Sequence, residues 1–140
     1  MGGKKVKGRK RHIGVDFEGR SLWVDVTAAN VHDTNAGVYL LDGLKIKHHS
    51  IQRFCAVGGY QGDARWYSKI LLKTPVEIPK KAKYGFAVLP KRWIVERTFA
   101  WLSNFRRLSK DYEINPRYSE NMVRLSMLRL ILAQFCNQFM

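Results

Sequence analysis

An α/β sandwich, with helices laid against a small sheet, is the fold class this sequence predicts. Three observations carry that reading. β-rich segments with turn chemistry between them come first, a mixed region follows, and the last third is written in helical spacing. The 140 residues amount to one ordinary domain, and 46% hydrophobic with 12% aromatic content can fill one packed core, which excludes wholesale disorder. Residues 1–140 are therefore read as a single domain, with a basic N-terminal segment at 1–11 and a helical part at 90–139.

His12 to Val15 and Leu22 to Thr27 are β-rich, and Asp16-Phe17-Glu18-Gly19 between them is turn chemistry, so a hairpin is expected. Asn30 or Asp33 can then cap a short helix through Val38 and Leu41 that stops at Gly43. Ile51 to Val57 reads as a strand closed by Gly58-Gly59. Gly62-Asp63 opens a helix carrying Trp66, Ile70 and Leu71 on one side, and Val76 to Ile78 is a further strand. Phe86 to Leu89 is apolar and fits either state. A helix starts at Pro90 or Lys91 and runs to about Leu108, with Val95, Phe99, Leu102 and Phe105 or Arg106 in helical register. After Pro116 a second helix runs from about Tyr118 to Phe139, with Met122, Leu125, Leu128 or Arg129, Leu132 and Phe135 in the same spacing.

Charge narrows the function classes. Lysine and arginine number 25 against 11 aspartate and glutamate, a net +14, and such an excess points to a polyanionic partner. Lys4, Lys5, Lys7, Arg9, Lys10 and Arg11 crowd one segment. That run either clamps phosphates, with strongly salt-dependent affinity, or is a solvated tail. The two cysteines, Cys55 and Cys136, form no disulfide framework and no zinc spacing. No apolar segment follows the basic start as in a signal peptide, and the last apolar stretch carries Arg124 and Arg129, so a cytoplasmic, nucleoid-associated chain without a membrane span is expected.

Among single residues Glu96 stands out. It follows Arg92 by four positions and precedes Arg97, and Arg92, Glu96, Ser103 and Arg107 fall roughly on one face of a continuous helix. A carboxylate there can hold a metal ion while arginines grip phosphate, or it can make an ordinary i,i+4 ion pair. Trp93, Phe99 and Trp101 either stack on bases or sit in the core. His12, His32, His48 and His49 show no metal spacing and are assigned to surface or turns. Gly58 to Gly62 lacks the Lys-Ser/Thr of a nucleotide-binding loop.

Several ordered motifs together resemble the DDE-type insertion-sequence transposases. They are Gly2 to His12, Thr27-Ala28-Ala29-Asn30-Val31-His32-Asp33, Gly58-Gly59-Tyr60, the block Leu89 to Leu102 around Val95-Glu96-Arg97, and Arg106-Arg107-Leu108-Ser109-Lys110-Asp111-Tyr112-Glu113. The resemblance implies a ribonuclease H-like core: an incomplete mixed sheet flanked by helices, with two long C-terminal helices. It implies DNA transposition by phosphoryl transfer, in which two aspartates and a glutamate hold divalent Mg²⁺. It places Glu96 as the family glutamate and metal ligand, with Arg92 as the arginine before it. Lys4, Lys5, Lys7, Arg9, Lys10, Arg11, Arg92, Arg97, Arg106 and Arg107 are the expected DNA contacts.

This sequence departs from the pattern at defined places. Leu89 stands where many relatives have a tyrosine. Ser103 replaces a basic residue, so Arg106 or Arg107 is expected to take over its phosphate contact. Val57 occupies the position of the second aspartate and offers no oxygen to a metal, while Asp63 is expected to cap a helix instead. The first aspartate belongs on a strand upstream of the basic run. The expectation is a truncated, catalytically inactive transposase remnant that does not bind Mg²⁺ productively. The alternative is a DNA-binding fragment that modulates a full-length transposase. DNA is the expected partner, with a homo-oligomer or a full-length transposase beside it.

Overall fold

The structure is a computed structural model, and it describes residues 8–56, 60, 62–78 and 92–139. The expected hairpin is present as β1 (Arg9–Val15) and β2 (Ser21–Ala28), antiparallel, with Ile13 opposite Val24 and His12 opposite Asp25. The turn is fixed by Asp16, whose Oδ1 accepts from the backbone N–H of Glu18 and of Arg20, each at 2.9 Å. Gly19 closes it at φ +82°, a left-handed conformation that suits glycine.

Alternation along β1 sends successive side chains to opposite faces, and each face meets its own helices. On one face Ile13 and Val24 pack with Leu102, Leu108, Val123 and Met127, which come from the C-terminal third. On the other face lies α1 (Asp33–Lys47). A second core of Leu40, Leu41, Leu44, Phe54, Ala64 and Val76 joins α1 to α2 (Asp63–Ile70) and to a short parallel pair, β3 (Phe54–Cys55) with β4 (Val76–Glu77). The described strands thus form two separate two-stranded sheets, with helices on both sides of the hairpin.

Several expectations need correction. The first helix does not stop at Gly43 but runs to Lys47. Gly43 is there for close packing, since a Cβ at that position would lie 2.5 Å from the Trp23 ring. Neither Asn30 nor Asp33 caps it: His32 is the N-cap, without a side-chain cap bond, and Asp33 instead pairs with Lys10 at 3.0 Å. Likewise Gly62 is the N-cap of α2, so Asp63 is its first residue rather than its cap. The strand expected over Ile51 to Val57 is only two residues long among the described residues. The expected helix from Pro90 to Leu108 is α3 (Arg92–Ser103), and it breaks before a 3₁₀ turn at Arg106–Leu108. Helix α4 (Pro116–Phe139) begins two residues early, with Pro116 in its first turn, where a missing N–H costs nothing. Val57 to Gly59, Gln61 and the segment 79–91, with the ambiguous Phe86 to Leu89, lie outside the described residues.

Of the apolar positions spaced along α4, Met122 packs against the first core and most of the rest do not. Ser119, Val123, Ser126 and Met127 are buried, whereas Leu125, Leu128 and Leu132 are each more than half exposed. On α2 also, Trp66, Ile70 and Leu71 are exposed and Ala64 and Ser68 are buried. Among the described residues no helix is long and apolar enough to cross a membrane.

Candidate functional site

Helix α3 is held against the hairpin turn by Thr98, whose buried hydroxyl lies 2.9 Å from the Gly19 carbonyl oxygen and 3.0 Å from the Ile94 carbonyl oxygen and shares its one proton between them. Arg97 adds a bond to the Glu18 carbonyl at 3.2 Å. Its guanidinium lies between Trp93 and Trp101, 4.7 and 4.6 Å from their ring centroids. These two rings are therefore neither free base-stacking surfaces nor core, because they clasp a cation at i,i+4 spacing on the helix flank. Ile94, Thr98 and Leu102 form the buried side, and this leaves Glu96 on an exposed side of α3.

The break after Ser103 removes Arg107 from the helix face that would have lined it up with Arg92, Glu96 and Ser103. Ser103 Oγ donates to its own helix, to the Ala100 carbonyl at 2.8 Å. Arg107 pairs with Glu113 at 2.6 Å and covers the Tyr112 ring, while Arg106 is exposed.

The basic strand residues have protein partners. Arg9 donates to Asp111 at 3.0 Å, to the Glu113 carbonyl at 2.7 Å and to the Ile114 carbonyl. Arg11 donates to the Leu108 carbonyl at 2.9 Å. On the opposite face Lys10 meets Asp33 and the Val31 carbonyl, each at 3.0 Å. The Arg9 contact has an electrostatic signature. Although partial burial opposes it, the Glu113 backbone N–H and the Arg9 guanidinium hold the Asp111 carboxyl below its usual range. Arg9, Arg11, Phe99, Leu108, Ser109, Lys110 and Asp111 line an open cavity of about 310 Å³, with three bases against one acid. Lys4, Lys5 and Lys7 lie outside the described residues, as does the side chain of Arg92.

One feature was missed in the sequence. His12, assigned there to surface or turn, is only 3% exposed. Its Nδ1 is hydrogen-bonded to the Tyr60 hydroxyl at 2.7 Å and its Nε2 to the Thr27 hydroxyl at 3.1 Å. Burial lowers the imidazole pKa and, with Asp33 nearby, pushes the Tyr60 phenol up to about 12. Both rings are held neutral and joined edge to face, 6.0 Å between centroids. The signal available was parity, because His12 alternates with Ile13 on a two-sided strand. The bond ties β1 to Tyr60, three residues past Val57. At the other edge of the hairpin, burial raises the pKa of Asp25, and the neighbouring Glu120 adds to the shift. One Asp25 oxygen, Oδ2, is buried without a hydrogen-bond partner.

Among the described residues, no three His, Cys, Asp or Glu side chains converge to hold a metal ion. Mg²⁺ wants several hard oxygen ligands, and Val57 has only carbon to present. Among the described residues the carboxylates do not assemble the donor set of the metal pair that the resemblance implies.

The chain nonetheless belongs to the family that its motifs resemble. The sequence profile of the transposase DDE domain matches residues 1–131, and the chain is a member of that family. It is 33% identical to a protein of Burkholderia cepacia described as the candidate transposase of insertion sequence element IS402, over 76% of this chain and 54% of that protein. The chain thus spans about half the length of the curated relative it matches. No solved structure matches.

Proposed function

We propose that this chain is the DNA-contacting part of a ribonuclease H-like transposase core and that, as it stands, it neither cuts nor joins DNA. The observation that carries the second half is Val57 where the resemblance puts the second metal-binding aspartate, a side chain with no oxygen to offer a metal. Family membership and the net charge of +14 support the first half. The two separate sheets support the fold assignment. The Ala29 N–H bonds to the Gly8 carbonyl, while Val24 and Val26 bond outward to α4, so by alternation Lys10, His12 and Gly14 turn their backbone groups toward β2 and Arg9, Arg11 and Ile13 turn theirs away. A strand laid along that side, between β1 and β3, would join the two pairs into one mixed sheet.

In this reading Arg97, Arg106 and Arg107 contact the DNA backbone, with Lys4, Lys5, Lys7, Arg9, Lys10, Arg11 and Arg92 as further cations. Arg9 and Arg11 contribute as part of the basic cavity rather than as free arms. The test is a plasmid-nicking assay with the purified chain in Mg²⁺ and in Mn²⁺. No nicking above a Glu96→Gln control is expected. Metal-dependent nicking that Glu96→Gln abolishes would overturn the proposal.

A further inference from the structure

We infer that the open cavity beside β1 takes the phosphorylated end of a DNA strand, with the terminal base on Phe99 and the phosphate at Arg11 and Lys110. The inference rests on DNA being the partner, as proposed above, and adds which part of the DNA is held here. Strand parity builds the cavity. Arg9, Arg11 and Ile13 share one face of β1. Ile13 is covered by the first core, with Leu102 and Leu108. Past Leu108 that core ends, and the same row continues as Arg11 and then Arg9. Arg11 holds the Leu108 carbonyl at 2.9 Å, and Arg9 holds the Asp111 carboxylate at 3.0 Å. Phe99, one turn before Leu102 on α3, brings an aromatic ring to the same cavity.

Charge selects the ligand. Arg9 and Asp111 cancel, and Arg9 also donates to the Glu113 and Ile114 carbonyls, so its guanidinium is committed to the fold. Among the described residues Arg11 has a single side-chain bond and Lys110 has none. Two cations are left for a ligand. An internal phosphodiester carries one negative charge, whereas a terminal phosphate carries nearly two at neutral pH and offers three acceptor oxygens. The terminal group is the better match in charge and in acceptors. The aromatic side matches the rest of the nucleotide. Phe99 is 37% exposed, and among the described residues no cation stacks on it, in contrast to Trp93 and Trp101, which clasp Arg97. Such a ring takes any base by stacking. The volume of about 310 Å³ is at the lower end for ligand sites, room for one nucleotide but not for a duplex. A base inside a duplex must be unpaired and unstacked to reach Phe99, and a base at a strand end is released at the least cost.

Fluorescence anisotropy on the full chain tests this. The probes are a short single strand with a 5′-phosphate, with a 3′-phosphate or with neither, and a covalently closed duplex that has no ends. A terminal phosphate should tighten binding of the single strand by at least about 5-fold, and the two phosphorylated arms show which end is held. Lys110→Gln should remove that gain, and Phe99→Leu should weaken the phosphorylated strand by at least about 5-fold. Far-ultraviolet circular dichroism and urea unfolding show that each variant is folded. Lys69→Gln, an exposed lysine on α2, is the control for loss of one charge and should keep the gain. Equal binding of the three single strands overturns the inference, and so does a gain that survives Lys110→Gln, since the phosphate is then held elsewhere. In both cases binding of the closed duplex leaves the proposed DNA contact standing, whereas loss of binding to every probe overturns that reading as well.

Discussion

Replacing Tyr60 by phenylalanine removes one oxygen from the contact that joins β1 to the segment after Val57. In the native chain that hydroxyl lies 2.7 Å from His12 Nδ1 within a largely buried pair. The variant keeps the ring and its edge-to-face packing, and it leaves one imidazole nitrogen buried without a partner. An orphaned buried polar group costs about 1–3 kcal/mol. With a urea m-value of about 1.5 kcal/mol/M, a loss near 1.5 kcal/mol lowers the midpoint by roughly 1 M. Titration supplies a second, independent reading. Burial lowers the His12 pKa from 6.5, so between 6.5 and the lower native value the unfolded chain binds the proton and the folded chain does not. The contribution of a neutral His12 is therefore complete above pH 6.5 and is lost as pH falls through that window. The stability difference between wild type and His12→Asn should shrink from pH 7.5 to pH 5. A Tyr60→Phe midpoint within 0.2 M of wild type, together with a His12→Asn difference that does not change with pH, would show that the imidazole is not held in this way.

Asp25→Asn should raise stability by about 1 kcal/mol at pH 7, since it removes a charge from a partly buried carboxyl with one unpaired oxygen. Because the native pKa is raised, the advantage should fade as pH drops through that pKa toward 3.8, and thermal unfolding at pH 7 and pH 4 compares the two limits. DNA binding should be indifferent to sequence, and roughly six phosphate contacts give a log–log salt slope near about −5 in anisotropy titrations. A flat salt response there would contradict the phosphate-contact reading.

The elements most legible in the sequence were those with local signals. The hairpin showed because alternation and an Asp-to-Gly turn both point to it, and α3 and α4 showed because their spacing is sustained. Helix ends were less legible. Gly43 reads as a stop when only the backbone is considered, and it became a packing site because the Trp23 ring arrives from β2. The spacing on α4 marks a helix but not which side of it is buried: Met122 packs against the first core, while Leu125, Leu128 and Leu132 are exposed. A helix with two apolar sides gives no local sign of which one meets the sheet, and Val123 between two serines decided it. The same limit applied to the candidate site. The resemblance marks Glu96 and Val57 as motif positions, but Arg9 with Asp111 and His12 with Tyr60 join residues 102 and 48 positions apart, and no local pattern encodes those pairings.

On the proposed reading, one carboxylate added at Val57 should not build a site. Glu96 rides on a helix whose buried side packs into the first core, with Ile13 and Val24, and which is pinned to the hairpin turn through Thr98. The segment that leads to Val57 leaves the second core, where Phe54 packs with Leu40 and Val76. Strand β1 lies between the two cores, and His12 bonds it to Tyr60. The outer edge of β2 is closed by α4, where Glu120 accepts from the Val26 N–H at 3.1 Å and Arg124 donates to the Val24 carbonyl at 3.4 Å. The corresponding groups of Arg9, Arg11 and Ile13 on β1 have no backbone partner among the described residues. A strand paired there would fix the distance between the two halves and could present a carboxylate between them. Val57→Asp by itself changes one side chain and adds no strand along that side of β1, so on the proposed reading the variant should not nick DNA.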